Sequence, residues 1–402
     1  MMDFEFTEEQ KEIRESVRAF SKREISPLIQ EIERNERIPE KIIRGLSELG
    51  LLGMTVSTEY GGLEADPVTV GLVAEELASA DITCATPTFF LVQCAWGYIF
   101  DKYGRKNAKE KVLPYVTKGE AFIGIAATEP DAGSDLANIK THAEKRDGKF
   151  IVNGEKMFIS GINEIVNLLP MGGGYVTVVK TERSSGVKGI SLLFIPVKNT
   201  KGITPTILKD WGRKGISTGG FAMENVEIPE ENLIGEEGRG FYIAMEGFDF
   251  ARGIISIVCS SVAMSSLRYA MDYLKMRKAF GNPIGKYEGI QFKLAEHWAK
   301  LQAVRLSGYK ALWMLKKEKE GKGSRLETTK ACAEVKMIAP VFAFEAINDA
   351  IQWFGAFGYT EECPLHLALK GVRSYFWAEG TIEIMKIIVG RELLGKEFIA
   401  YI

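Results

Sequence analysis

A turn at residues 126–135 combines side chains that could hold a flat ligand with polar edges. Its sequence, AATEPDAGSD, follows an apolar run, and Pro130 and Gly133 favour a tight turn. Thr128 and Ser134 place hydroxyl groups on this turn, beside backbone N–H groups. A plain turn between two strands would have the same pattern. Both interpretations therefore stay open at this point.

Glu379 is a candidate general base. It precedes Gly380 and Thr381, and Thr381 is placed to cap a helix over 382–394. The residues just before it, YFWA, are largely apolar, so the carboxylate could be removed from water. Loss of solvent raises a carboxyl pKa toward the value that a base needs near neutral pH. Most glutamates in this setting only complement a helix dipole.

Three other charged residues admit a functional and a structural interpretation. Asp249 and Arg252 are three positions apart on a predicted helix, where an ion pair is as natural as a ligand site. Arg277 follows the same helix, and an arginine in such a place usually forms a solvated salt bridge.

The composition is that of an ordinary globular protein. The 402 residues are 46% hydrophobic and 26% charged, and this length predicts roughly two or three domains. The net charge of −2 gives no general attraction to nucleic acid or to anionic membranes. The apolar stretch at 89–100 is too short to span a bilayer, and residues 1–10 lack a signal pattern. We therefore expect a cytoplasmic protein without membrane insertion.

Metal chemistry is not expected. The five cysteines are scattered and odd in number, which is typical of reduced thiols. The three histidines (His142, His297 and His366) lie far apart and have no second ligand at metal spacing.

The elements that must carry these residues change in character twice along the chain. Residues 1–120 have helical periodicity, with a capping box at Thr7 and helices expected at 39–49, 67–80 and 88–103. A small β barrel or sandwich is predicted from β-rich runs at 122–126, 149–152, 156–159, 175–181, 190–196 and 220–228. Long helices are expected again at 241–278, 288–320 and 325–354. The sequence thus predicts an α+β protein with domains at 1–120, 121–233 and 234–402. Without G-x-G-x-x-G or Walker A sequences, a Rossmann or P-loop fold is disfavoured.

Four segments resemble, in order and spacing, the motifs of the acyl-CoA dehydrogenase family. The turn at 126–135 is similar to the family's TEPxAGSD signature, and EKMFISG at 155–161 to its G-x-K-x-[WF]-I-[ST] strand. RKAFG at 277–281 resembles its R-x-x-F-G turn, and AEGT at 378–381 its E-G-T segment. Each motif alone is weak, but together they extend the resemblance over nearly the whole chain.

This resemblance implies a fold and a reaction. The family has an N-terminal helical domain, a middle β-barrel domain and a C-terminal four-helix bundle, usually in a homotetramer. Its members act in fatty acid metabolism, where they use FAD to convert an acyl-CoA to the trans-2-enoyl-CoA and pass electrons to an electron-transferring flavoprotein. The glutamate that matches Glu379 takes the pro-R α-proton, while flavin N5 takes the β-hydrogen as hydride. Some relatives carry the base at the position of Ala251, which cannot accept a proton, so Glu379 has no competitor.

The resemblance also implies the ligand contacts. Phe158, which replaces a frequent tryptophan, would lie against the flavin ring, and Arg277 of a neighbouring subunit would pair with the pyrophosphate. The implied FAD contacts are Ile125, Ala127, Thr128, Gly133, Ser134, Phe158, Ile159, Ser160, Arg277, Phe280, Gln352, Gly355, Ala356, Thr381 and Glu383. The implied acyl-CoA contacts are Ser134, Phe248, Asp249, Arg252, Ala378 and Gly380.

Departures from the family pattern bear on the substrate and on one loop. Ala378 replaces a bulkier tyrosine, which would leave room for a branched or cyclic acyl group. Residues 82–100, from which the family builds its acyl pocket, carry no charge, so a glutaryl-type substrate is disfavoured. The sequence LPMGGG at 169–174 predicts a longer loop near the flavin.

Three alternative functions are weighed against this interpretation. A flavin oxidase or monooxygenase would share the fold, but the E-G-T context of Glu379 favours dehydrogenation. Residues 215–219 match G-x-S-x-G, the motif of serine hydrolases, with Ser217 as the nucleophile. A strand is expected after this motif instead of the helix that a nucleophile elbow needs. A DNA-binding relative of the family is not supported by the near-neutral charge.

Overall fold

A computed structural model of the chain describes residues 5–182 and 186–398, and it begins with a run of helices. These are α1 (Glu8–Phe20), α2 (Ile29–Asn35), α3 (Glu40–Glu48), α4 (Pro67–Ala80), α5 (Ala85–Tyr103) and α6 (Lys106–Thr117). Thr7 and Gln10 form the predicted capping box at the start of α1. Helices α4 and α5 are apolar over most of their surface and almost wholly buried, so they form the interior of this region.

One sheet follows, in the middle of the chain. Its strands are β1 (Ala121–Ala126), β2 (His142–Arg146), β3 (Lys149–Ser160), β4 (Gly172–Lys180), β5 (Ile190–Pro196), β6 (Ile203–Leu208), β7 (Thr218–Pro229) and β8 (Leu233–Ile234). The strand order is β6-β7-β3-β2-β4-β5-β8, and β1 pairs with β4 in parallel. The long antiparallel pair of β3 and β7 has a register shift between Met157 and Ile159, so Phe158 is a bulged residue.

The C-terminal helices begin with α7 (Gly240–Met276), which is long and apolar enough to cross a membrane. Because 94% of its most apolar window is buried inside the protein, α7 is a core helix of the bundle. A short hairpin of β9 (Lys278–Ala279) and β10 (Asn282–Pro283) comes next. The remaining helices are α8 (Glu288–Lys319), α9 (Arg325–Trp353), α10 (Leu365–Arg373) and α11 (Ile382–Leu394).

The predicted α+β order is confirmed, and several elements differ from the sequence prediction. The runs at 149–152 and 156–159 are one continuous strand, β3. Strands β2 and β6 were not predicted, because β2 is polar (HAEKR) and β6 contains Pro205 and is largely exposed. Helix α6 has Pro114 inside it and no side-chain cap, which weakened its sequence signal. The domain boundaries at 120/121 and 233/234 stay a prediction.

The prediction of a longer loop over 169–174 was wrong for its glycines. Gly172, Gly173 and Gly174 lie in β4 and pair with the start of β1. A Cβ atom at Gly173 would lie 2.0 Å from the carbonyl oxygen of Phe122, and one at Gly174 would lie 2.3 Å from that of Ile195. The glycine run therefore allows close strand approach and does not form a loop.

Replacement of Gly173 should test this packing. We expect Gly173→Ala to destabilise the protein by roughly 2–4 kcal/mol, because the methyl group meets backbone atoms and φ is +113°. Gly289→Ala is the matched control, since nothing lies within 4 Å of its Cβ position on α8. Thermal denaturation should rank the variants with Gly173→Ala lowest. Equal melting temperatures for the two variants would contradict this account of the glycine run.

Candidate active site

The segment around Glu379 has an unusual backbone. Glu379 has a φ of 58° and Gly380 a φ of 96°, both in the left-handed region. For a glutamate this conformation costs about 1–3 kcal/mol, and such residues cluster at functional sites. Thr381 caps α11, as predicted, because its hydroxyl oxygen accepts a hydrogen bond from the Ile384 N–H at 3.2 Å. On the other side, the buried hydroxyl of Tyr375 lies 2.6 Å from that of Thr88 on α5.

Two buried cations hold the carbonyl groups of this segment. Arg252 of α7 donates from Nε to the carbonyl oxygen of Glu379 at 3.0 Å. Lys336 of α9 donates from Nζ to the carbonyl oxygen of Gly380. Both side chains are nearly inaccessible to solvent. Because both carbonyl groups lie outside the hydrogen-bond ladder of α11, these cations satisfy acceptors that would otherwise lack partners.

Asp249 holds Arg252 in place. Its Oδ1 accepts from Arg252 Nη1 at 2.7 Å, and its Oδ2 accepts from Thr329 Oγ1 at 2.7 Å. Oδ2 also forms an ion pair with Arg325, with Nη2 at 2.7 Å. The Asp249 side chain is completely buried, and both of its oxygens are occupied. Asp249 and Arg252 therefore form the ion pair that their spacing on the helix allows. The prediction that Asp249 touches acyl-CoA is not supported, since Asp249 offers no surface to a ligand here.

The carboxylate of Glu379 has no such partner. Its Oε2 atom is buried and makes no hydrogen bond to any of the described residues, although the residue as a whole is only half-buried. Burial raises the pKa of Glu379 from 4.5 to about 7, against the opposing effect of Arg252, Lys336 and Arg213. Burial, together with the charge of Arg252, lowers the pKa of Lys336 to about 7. Glu379 can therefore gain and lose a proton near neutral pH.

The turn at 126–135 is anchored by a buried ion pair. Glu129 Oε1 accepts from Lys156 Nζ at 2.9 Å and from the Thr141 N–H at 2.9 Å, and Lys156 also donates to the carbonyl oxygen of Ala127 at 3.0 Å. The hydroxyl groups of Thr128 and Ser134 make no hydrogen bond within the described residues. The structure thus fixes the backbone of the turn while these two hydroxyls stay available.

Phe158 lies beside this turn, because the N–H of its neighbour Met157 donates to the carbonyl oxygen of Thr128 at 2.9 Å. Phe158 is 64% exposed and has a φ of 59°, so the bulge turns a large aromatic side chain outward at a cost in backbone strain. Ile159 is buried, whereas the Ser160 hydroxyl has no partner among the described residues. An exposed aromatic ring beside free hydroxyls suits a flat ligand with polar edges.

The other predicted cofactor residues lie mostly at the surface. Arg277 ends α7 and makes no ion pair with the described residues, so the salt-bridge interpretation is not supported. Phe280 is 96% exposed on the following hairpin. The exposed members of the predicted set also include Gly133, Gln352, Gly355, Ala356 and Glu383, while Ile125 and Ala378 are half-buried and Ala127 is buried. No described hydrogen bond or ion pair joins Arg277 or Phe280 to the segment of Glu379.

Phe248, by contrast, lies next to the Glu379 segment. It is buried, packs edge-to-face on Trp96 at 5.2 Å and has the Arg252 guanidinium 5.8 Å from its ring centroid. The structure thus brings Phe248, Arg252, Glu379 and Gly380 together.

Ser217 is not placed as a nucleophile. It is followed directly by strand β7, and its hydroxyl bonds to the buried carboxylate of Glu164. The first histidine that follows the motif in sequence, His297, is bonded to Asp349 between α8 and α9. The hydrolase alternative therefore lacks the elbow, and the Ser217 hydroxyl is bonded to a carboxylate instead of a histidine.

Sequence reasoning missed two cations at this site. Lys336 interrupts an apolar stretch of α9, and a charge at such a position could have indicated a buried partner. Arg213 lies in the loop before β7, is 9% exposed, has a φ of 59° and donates to Thr218 Oγ1 at 3.1 Å. Nothing in the local sequence of Arg213 indicated that its charge would act on Glu379.

Comparisons with known proteins identify the family of the chain. Family models for acyl-CoA dehydrogenases match the chain in three parts, the N-terminal domain at 7–120, the middle domain at 124–226 and the C-terminal domain at 238–394. The chain belongs to the acyl-CoA dehydrogenase family. Such dehydrogenases are oxidoreductases that act on CH–CH groups, and the family is FAD-dependent.

Members of the family align with the chain over nearly its full length. An acyl-CoA dehydrogenase of Bacillus subtilis (strain 168) is 34% identical, covering 97% of this chain and 99% of that protein. A 3-(aryl)acrylate reductase of Clostridium sporogenes (strain ATCC 15579) is 30% identical, covering 97% and 99%. Among solved structures, a chain described with the electron transferring flavoprotein of Acidaminococcus fermentans has a TM-score of 0.89 and 31% identity, covering 98% and 100%.

The raised pKa of Glu379 predicts a pH-dependent stability difference in this family member. A carboxyl whose folded-state pKa is about 7 favours folding fully below its unfolded value of about 4.5, and it loses this contribution as pH rises through 7. Glu379→Gln stays neutral, so the variant should melt at a higher temperature than the parent at pH 8, by a margin that shrinks toward pH 5. Melting of the apoprotein measures this, with the exposed Glu361→Gln as the control. A margin that does not change with pH would rule out the raised pKa.

Proposed function

We propose that the protein removes hydrogen from C2 and C3 of an acyl-CoA thioester to give the 2-enoyl-CoA, with Glu379 as the base that takes the C2 proton. The observation that carries this proposal is the buried, unpartnered carboxylate oxygen on a strained backbone. A buried acceptor without a hydrogen bond destabilises a folded protein by roughly 1–3 kcal/mol. The fold gains nothing from this arrangement, which therefore indicates a functional role for the carboxylate. A base with a pKa of about 7 is about half ionised at neutral pH and is strong enough to accept a proton.

We further propose that FAD binds beside this carboxylate and, when bound, accepts the second hydrogen as hydride. The exposed ring of Phe158 and the free hydroxyls of Thr128 and Ser134 fit the ring system of a flavin. The N-terminal N–H groups of α11 behind Thr381 suit a phosphate, and the unpaired Arg277 suits the pyrophosphate. These residues would hold and orient the cofactor, and Glu379 would take the C2 proton.

The exposed position of Arg277 supports a homotetramer in which this residue completes the site of a neighbouring subunit. Large apolar side chains are exposed along the C-terminal half, and exposed apolar surface marks an association face. These residues are Met276, Phe280, Phe292, Phe357, Tyr359, Leu393 and Leu394.

The proposed substrate has an apolar acyl group, with room beside Ala378 for a branched or cyclic chain. The aryl substrate in the name of the Clostridium sporogenes relative agrees with this choice. Residues 82–100 offer no cation for the second carboxylate of a dicarboxylic substrate. Arg213 lies outside this range, and its charge acts on Glu379. Arg213 could therefore serve as such a partner. The proposed acceptor is an electron-transferring flavoprotein, and the proposed location is the cytoplasm.

The decisive experiment is anaerobic bleaching of the yellow, FAD-loaded protein by acyl-CoA thioesters. Glu379→Gln should keep its FAD and bleach about 10²–10⁴-fold more slowly, because the amide cannot accept the C2 proton. Butyryl-, octanoyl-, cyclohexanecarboxyl- and glutaryl-CoA should be compared, with the cyclic substrate expected among the best.

Glu361→Gln, on the exposed loop before α10, should bleach like the parent. Equal rates for Glu379→Gln and the parent would refute the assignment of the base. A preference for glutaryl-CoA would place Arg213 at the distal carboxylate, and rapid reoxidation of the bleached protein by air would favour an oxidase.

Arg277→Ala should lower FAD occupancy with little change in the fold. The guanidinium offers paired donors to a diphosphate, and Arg277 has no ion pair within the described chain to lose. The ratio of flavin to protein absorbance after dilution and gel filtration measures the effect. Lys275→Ala removes a neighbouring exposed charge that pairs with Asp272 and serves as the control. Occupancy equal to that of the control would contradict the proposed contact.

A further inference from the structure

We propose that Lys336 is a positioning residue for Glu379. Together with Arg252, Lys336 holds residues 378–381, here called the base loop. It also supplies a positive charge that favours the ionised form of the base. This inference rests on the proposed function, because it concerns how the base of that reaction is maintained. It starts from the contact of Lys336 with the carbonyl oxygen of Gly380.

The two cations come from different helices and donate hydrogen bonds to consecutive carbonyl groups. Arg252 comes from α7 and reaches the carbonyl of Glu379, while Lys336 comes from α9 and reaches that of Gly380. The first helical bond of α11 starts at the carbonyl of Thr381. The two preceding carbonyls thus depend on donors from outside the helix, and losing either donor would release a strained turn.

A lysine is a costly choice for this contact. Lys336 is completely inaccessible to solvent, and the Gly380 carbonyl is the only hydrogen-bond partner of Nζ among the described residues. A buried cation with so little compensation destabilises a protein relative to an apolar residue. Its positive charge, however, favours the ionised carboxylate of Glu379, and an apolar or neutral residue would not have this effect.

The charges around Lys336 determine the direction of this effect. Arg252 and Cys259 face it from α7, and Glu379 and Glu383 face it from the base loop and the first turn of α11. Arg213 acts on Glu379 from the loop before β7. Protonated Lys336 stabilises ionised Glu379, and ionised Glu379 stabilises protonated Lys336.

Two neutral replacements separate the hydrogen bond from the charge. Lys336→Gln can still donate to the Gly380 carbonyl, whereas Lys336→Met cannot, and both remove the charge. The rate of anaerobic bleaching should be measured from pH 5.5 to 9.5. We expect the pH midpoint to rise by roughly one unit in both variants, with the high-pH rate retained in Lys336→Gln and lowered in Lys336→Met. Lys336→Arg should restore the midpoint of the parent, and Lys330→Met on the same helix should leave the profile unchanged.

A second measurement does not need turnover. Infrared titration of the apoprotein, taken as a difference from the same titration with Glu379→Gln in the background, reports the Glu379 carboxyl directly. Its midpoint should rise in Lys336→Gln.

An unmoved midpoint in both assays, with rates lowered equally at every pH, would show a purely structural lysine and overturn the inference. If the parent does not bleach, the proposed function fails, while the infrared midpoint still decides whether Lys336 acts on Glu379. If Lys336→Met does not fold, Lys336→Gln decides alone.

Discussion

The candidate site depends on the burial of the Glu379 carboxylate without a direct salt bridge to a cation. Arg252 and Lys336 approach Glu379 through backbone carbonyl groups, and neither bonds to the carboxylate itself. A direct salt bridge would lower the pKa of Glu379 and stabilise the ionised form too strongly for proton transfer. By holding the carbonyl groups, the cations fix the position of the side chain and leave its charge only partly compensated. The left-handed backbone at Glu379 makes this arrangement possible, because it leaves the two carbonyls free of the helix.

Buried ion pairs anchor both the segment of Glu379 and the turn at 126–135. Asp249 connects Arg252 and Arg325, so the cation that holds Glu379 is itself compensated between α7 and α9. Glu129 and Lys156 do the same for the turn at 126–135, where a lysine on β3 reaches the carbonyl of Ala127. The pairs of Asp249 with Arg252 and of Glu129 with Lys156 are nearly completely buried, while the groups that would meet a ligand stay free. A preorganised binding site requires this arrangement, in which buried ion pairs fix the backbone and the groups that contact the ligand remain unpaired.

Much of the fold could be predicted from local sequence, whereas the electrostatic support of the site could not. Helix α4 has the predicted bounds, and Thr381 caps α11 as predicted, because capping and apolar periodicity are local signals. The apolar flank of Glu379 and its place before a helix cap made it a candidate base, and its predicted role came from the resemblance to the family's E-G-T segment. Lys336 and Arg213 reach the site from distant parts of the chain, so only the tertiary structure reveals them. The glycines of β4 misled the prediction for the same reason, since the backbone that they accommodate belongs to β1 and β5.

Several residues predicted to contact the cofactor are exposed in the single chain. Phe158 and Phe280 present aromatic rings to solvent at strained backbone positions, and Arg277 has no ion pair within the described residues. The left-handed backbone at Phe158 and Phe280 costs free energy in the isolated chain. A ligand or neighbouring subunit that binds these residues or Arg277 would stabilise the folded state through binding. Stability and function are therefore coupled at this surface. The groups that the chain leaves unsatisfied are those that the proposed cofactor and the proposed tetramer would use, so occupancy of the site and assembly of the protein should reinforce each other.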